Sequence, residues 1–195
     1  SDVTVDALFR QAGVIRTATL AELFDVTRLL SGQPLPAGRR VGILTNAGGP
    51  GILCADACEE QGLDVVELPP DLRERLRPLV AAEASLGNPV DLLAAAGPED
   101  FGPVLEEMIV HGGLDAVIVI YIQPGLGSVG GAVAAEVQAV TARLQPDLPV
   151  ISVLMSAADR AEALETASPG APPVYEYPEA AATALARVVG YADWR

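Results

Sequence analysis

Lysine is missing from these 195 residues; all twelve basic side chains are arginine. That excludes a P-loop lysine, a Schiff-base lysine and lysine acetylation, so any phosphate chemistry must rest on backbone amides, arginine or a metal. Histidine occurs once, at His111, which rules out a histidine-rich metal site. Its neighbours Val110 and Gly112-Gly113 fit a helix end, with the imidazole as a cap or a solvated group. The only cysteines, Cys54 and Cys58, stand four apart in a helical run, a spacing for buried thiols on one face rather than for a metal or redox pair. No uncharged apolar run approaches the roughly 18 residues of a membrane span. The opening Ser1-Asp2-Val3-Thr4-Val5-Asp6 lacks the basic and apolar segments of a secretion signal, so a cytoplasmic protein is expected. Positive charge is scarce overall: the net charge of −14 opposes nucleic acid and anionic membrane as main partners.

No Ser-His-Asp or Cys-His set can be assembled around the one histidine. The adjacent acids Glu59-Glu60 and Glu106-Glu107 diverge by about 100° on a helix, so they read as solvated faces rather than catalytic pairs. No residue of the chain is therefore assigned a catalytic role.

Half of the residues are apolar, enough for one well-buried core, and the length favours a single domain. Apolar residues at helical spacing from Val3 to Leu30 predict two helices, the second opened by Thr19 and Glu22 as a capping box. Gly32, Pro34, Pro36 and Gly38 then form a linker. Residues 1–38 are expected to be helices and linker packed on a main domain of residues 39–195.

From Val41 the rhythm is strand then helix. Strands are expected at Val41–Thr45, Leu63–Leu68, weakly around Pro89–Leu93, at Asp115–Tyr121, Pro149–Leu154 and Val174–Tyr177. Helices are expected at Gly51–Gln61, Pro70–Leu79, Pro98–Val110, Val129–Leu144, Ala158–Ala167 and Pro178–Tyr191. Asp115–Tyr121 is apolar almost throughout, the mark of a strand buried on both faces. This alternation means right-handed βαβ units, hence an α/β fold with a doubly wound parallel sheet of about five strands behind an N-terminal helical pair; the strand order is not readable from sequence, and a flavodoxin-like order suits five βα units.

Ligands of such sheets bind beyond the carboxyl ends of the strands, so the loops there are the candidates. The first, Asn46-Ala47-Gly48-Gly49-Pro50-Gly51, joins a strand directly to a helix. Its glycines admit close backbone approach, and the free amides and dipole of the helix start suit a phosphate or a phosphorylated ligand; alternatively they serve only a tight turn. Neither the dinucleotide fingerprint nor a P-loop is present. The second, Gly87-Asn88-Pro89-Val90-Asp91, reads either as a secondary ligand loop near the first or as a turn whose Asn and Asp satisfy their own backbone. A third, Gln123-Pro124-Gly125-Leu126-Gly127-Ser128, fits a ligand-side loop or a plain helix cap.

Four segments in order, Asp6–Arg16, Glu22-Leu23-Phe24-Asp25, Arg40–Gly51 and Gly87–Asp91, resemble the flavodoxin-like CoA-ligase domain of the NDP-forming acyl-CoA synthetases, the superfamily of ADP-forming acetyl-CoA synthetase and succinyl-CoA synthetase. The resemblance runs from about Asp6 to Trp194. It implies a piece of a larger enzyme converting acyl-CoA, NDP and phosphate to carboxylate, NTP and CoA through an acyl phosphate and a phosphohistidine. It implies that the helix opening at Asn46–Gly51 cradles that phosphohistidine, with CoA-binding, phosphohistidine-bearing and ATP-grasp domains as partners in the same protein or a partner subunit. CoA, ATP or ADP and Mg2+ are implied for the parent, and no bound cofactor or metal for this piece alone. The family's active histidine lies in a Ser-His-Thr-Gly segment that this sequence does not contain. His111 matches no such segment, so the piece is expected to be inert by itself.

Two further readings stay open at this level. One is a non-catalytic sensor of acyl-CoA or nucleotide fused to a GNAT acetyltransferase, in keeping with the arginine-only, alanine-rich composition of a GC-rich genome. The other is a stand-alone flavodoxin-like module, disfavoured by four tyrosines and one tryptophan, too few for a flavin sandwich.

Overall fold

The Val- and Ile-rich runs form strands wherever they were expected, with one exception. In the computed structural model, which describes residues 2–123 and 129–195, β1 (Val41–Thr45), β2 (Ser85–Leu86), β3 (Val90–Asp91), β4 (Ala116–Tyr121), β5 (Val150–Leu154) and β6 (Val174–Tyr175) make one sheet in the order β2-β3-β1-β4-β5-β6. All neighbours are parallel except β2 and β3, which pair antiparallel across residues 87–89. Numbered by themselves, the five parallel strands run 2-1-3-4-5, the flavodoxin-like order.

The exception is Leu63–Leu68, predicted as the second strand. It makes only a single bridge, Arg40 to Asp64. The Asn88 side chain stands between this segment and β1. Its Nδ2 donates to Val41 O at 2.7 Å and Val66 O at 2.9 Å, while its Oδ1 accepts from Ile43 N at 2.9 Å. A side-chain amide thus takes the ladder positions that a neighbouring strand would need.

Helices cover both faces. On one lie α4 (Pro70–Leu76, continued by a 3-10 turn at Arg77–Leu79), α5 (Pro98–His111), α6 (Gly130–Leu144) and α7 (Ala157–Glu165). On the other lie α2 (Leu20–Gly32), α3 (Gly48–Glu60) and α8 (Pro178–Trp194). Strand alternation feeds both: Val117, Val119 and Tyr121 of β4 enter the first core, Ala116, Ile118 and Ile120 the second. In α8, Ala181, Ala184, Leu185, Val188 and Val189 recur at helical spacing and are buried against α2 and α3. The Thr19 cap of α2 is present, accepting from Glu22 N at 3.1 Å; the Glu22 carboxylate reaches Ala18 N, one residue ahead of the expected box, and also holds Arg187. An N-terminal α1 (Asp2–Gln11) precedes it.

Cys54 and Cys58 are both buried. A hydrogen bond to Cys58, then burial, pushes the Cys54 thiol far above its ordinary value, so it stays protonated and is no nucleophile. Glu106 lies at the surface and is held there by Arg143 through two bonds of 2.8 and 2.7 Å, whereas Glu107 is half-buried with Arg75 and His111 at 3.9 and 3.6 Å. Long arginines on neighbouring elements, invisible to a local reading, gather these acids.

Candidate functional site

The sheet order reverses at β1, whose neighbours are β3 and β4. The loops leaving these strands therefore meet at the carboxyl edge. Asn46, at the end of β1, bridges to the end of β4: its Nδ2 donates to Ile122 O and its Oδ1 accepts from Ile122 N, both at 2.9 Å. Both polar ends of this buried side chain are thereby used, so Asn46 anchors the loop. At the other edge Arg40 and Asp115 clamp the same two strands, with Arg40 N, Nε and Nη2 reaching the carboxylate at 2.9, 3.1 and 3.2 Å. These hydrogen bonds from Arg40 hold the Asp115 carboxyl below its ordinary range despite its burial.

The helix after Asn46 starts earlier than predicted, at Gly48, with Ala47 extended as the cap residue. Ala47 has no side chain to close the helix, and Thr45 Oγ1 turns the chain instead, accepting from Ala47 N at 3.0 Å. Gly51 N is the first amide bonded back into the helix, to Ala47 O at 3.2 Å. Pro50 has no N–H. Among the described residues, the amides of Gly48 and Gly49 have no hydrogen-bond partner, and the first turn carries no acid. Such an end is electropositive and has room for an anion.

The glycines do different work. A Cβ on Gly51 would lie 3.0 Å from Thr45 Cγ2 and 3.3 Å from Pro89 Cβ, so Gly51 serves close packing of the helix on its neighbours. A Cβ on Gly49 would meet nothing within 4 Å. On Gly48 it would lie 3.1 Å from Asp91 Oδ2. The second loop thus reaches the first, through Pro89 against Gly51 and Asp91 beside Gly48. Within that loop Asn88 is spent on β1 and Val66, and Asp91 Oδ1 accepts from Leu93 N at 2.9 Å. Gly87 contributes only the turn. The arrangement is two open amides with one carboxylate oxygen at their side.

The third candidate loop falls largely on residues 124–128, outside the described residues. Gln123 at its start accepts from Tyr121 Oη at 3.0 Å and Val129 N at 3.3 Å. His111 stands at the carboxyl end of α5, away from these loops, beside Glu107. Among the described residues no three His, Cys, Asp or Glu side chains form a group able to hold a metal. Sequence reasoning overlooked Thr45, whose signal was a polar residue closing an apolar strand.

The Ligase-CoA domain profile matches residues 41–168. The chain is 33% identical over 186 residues to the alpha subunit of acetate–CoA ligase [ADP-forming] II of Pyrococcus furiosus, covering 94% of this chain and 40% of that subunit. It is 31% identical over 194 residues to the 4-hydroxybutyrate–CoA ligase [ADP-forming] of Nitrosopumilus maritimus, covering all of this chain and 27% of that enzyme. Among solved structures, PH0766 of Pyrococcus horikoshii superposes with a TM-score of 0.89 at 31% identity, over 98% of this chain and 44% of that one. An acetyl-coenzyme A synthetase of Ca. Korarchaeum cryptofilum, determined with phosphate and ADP, superposes at 0.90 with 25% identity, over all of this chain and 42% of that one. The chain thus spans less than half the length of each of these relatives. It belongs to the Ligase-CoA domain family, as a CoA-ligase domain of the NDP-forming acyl-CoA synthetase type.

Proposed function

We propose that the amino end of α3 cradles the phosphoryl group of a phosphohistidine carried by another domain of a longer NDP-forming acyl-CoA synthetase, or of its partner subunit. The observation that carries this reading is the pair of amides at Gly48 and Gly49, at the switch point of the sheet, which among the described residues have no partner and no obstruction at Gly49. Backbone amides stabilise phosphoryl charge without exchanging protons, and they are already oriented before the ligand arrives. The Asp91 carboxylate would repel a bare phosphate on the Gly48 side. It would, however, accept the ring N–H of an imidazole, which favours a phosphoryl group borne on histidine over free phosphate.

On this reading residues 39–195 are one domain with residues 1–38 packed on it, and the protein is cytoplasmic. It forms no acyl-CoA alone. The CoA and the ATP or ADP with its Mg2+ that take part in the reaction, and the active histidine, are held by other domains. The relatives named above lend no support to the acetyltransferase-fusion or flavin-module readings.

The test is Gly49→Val in the parent enzyme, assayed for acyl-CoA formation from carboxylate, ATP and CoA. Loss of about 100-fold in rate, the scale of removing an oxyanion donor, is expected with little change in melting temperature. Undiminished turnover in the variant would sink the reading.

A further inference from the structure

At the opposite end of the molecule lies a groove of about 780 Å³ between α1, the turn leading to α2, and the end of α8. Its size is within the roughly 300–1,000 Å³ of small-molecule sites. Asp193 in α8 is ion-paired with Arg39, which leads into β1, so this groove sits at the amino edge of the sheet, away from Gly48 and Gly49.

In a chain of net charge −14, the groove wall carries Arg10, Arg16 and Arg187 against one acid, Asp6. Asp6 brings two of them together: Arg16 Nη1 lies 2.5 Å from its carboxylate, and Arg10 Nε donates to its carbonyl at 3.4 Å. Arg187 is engaged by Glu22 at 2.8 Å. Arg10 has no carboxylate partner among the described residues, which leaves its terminal N–H groups to a ligand.

Beside the arginines stand Tyr191 and Trp194, stacked with centroids 5.8 Å apart at 24°. Trp194 is held in place. Its ring fills the space where a Cβ of Gly13 would be, and its Nε1 donates to Gln11 O at 3.2 Å; Gly13 has φ +69. It is nevertheless 49% exposed. Between these groups α8 carries Gly190, where a Cβ would meet nothing within 4 Å. Glycine inside a helix costs about 1 kcal/mol relative to alanine. Among the described residues nothing packs into the gap it leaves, whereas a ligand lying against the α8 backbone would.

We propose that this groove binds a purine nucleoside 5′-diphosphate, the chemistry shared by free ADP and CoA. Arg10 and Arg16 hold the phosphates as charge-assisted donors, and the base lies on the Tyr191–Trp194 surface over Gly190. The site is independent of the phosphoryl cradle.

Trp194 is the chain's only tryptophan, so its emission reports on this groove directly. The chain is titrated with ADP, CoA, adenosine and inorganic pyrophosphate, and the titrations are repeated by calorimetry. A saturable change is expected for ADP or CoA with a midpoint below about 1 mM, and binding about tenfold weaker for adenosine or pyrophosphate alone. The tighter of ADP and CoA identifies the source. Gly190→Leu, which fills the groove while favouring the helix, and Arg10→Ala should each weaken binding about tenfold with unchanged circular dichroism. Gly49→Val should leave it intact. Absence of saturable binding, binding indifferent to both groove variants, or binding lost in Gly49→Val would each overturn the proposal.

Discussion

Two helices of this fold begin with the same dipeptide at the same edge of the sheet, and they end up chemically opposite. α3 opens with Gly48-Gly49 after β1, and α6 opens with Gly130-Gly131 after β4; neither has a side-chain cap. At α6 the protein supplies its own anion. The buried Asp159 carboxylate accepts from Gly130 N at 3.2 Å, and a Cβ on Gly130 would lie 2.4 Å from Asp159 Cγ. At α3 the corresponding amides have no partner among the described residues, and none of these lies within 4 Å of a Cβ on Gly49. A Gly-Gly helix start is therefore no anion site in itself. What distinguishes the two is a residue 29 positions further on, reached only through the fold.

The comparison can be broken most severely at Asp159. Asp159→Ala strips α6 of its anion and leaves a buried amide unsatisfied, so chemical denaturation should show a loss of about 3 kcal/mol. Crowding the same end gives a smaller effect: Gly130→Ala pushes a methyl group into a side chain that cannot retreat, and about 2 kcal/mol of stability should go. Asp115→Asn is a control that touches neither helix end. Because the folded Asp115 carboxyl is held below its ordinary value, its contribution is complete above the unfolded pKa, about 4, and fades as pH falls through the lower folded value. The variant should therefore lose about 1–2 kcal/mol near neutrality, and the gap to wild type should close in acid melts. The smallest effect, with reversed sign, belongs to Gly49→Ala. With free space and an ordinary backbone it should raise stability by about 0.5–1 kcal/mol, measured as a higher melting temperature. Opposite signs for one substitution in the opening glycine pairs of the two helices would sharpen the contrast; equal signs would erase it.

The sequence showed the layout because strand and helix periodicities are local. β4 and β5 could be read from their Val- and Ile-rich runs, and α8 from Pro178 and its alanine spacing. What escaped was decided by partners distant in the chain. Leu63–Leu68 has a strand's composition, yet Asn88 takes its place beside β1. The glycine loop could be located by its position after β1, but its openness could not, since that depends on where Asp91 and Pro89 arrive. The groove at α8 was missed for the same reason: Arg10 and Arg16 lie almost a full chain length from Trp194.

The bonds from Asn46 to Ile122 at one edge and from Arg40 to Asp115 at the other staple the central strand pair at both ends. A platform pinned in this way has little compliance. On the proposed reading, phosphate that passes between distant sites in the parent enzyme is carried by a moving segment, and α3 would be the fixed stop at which that segment halts.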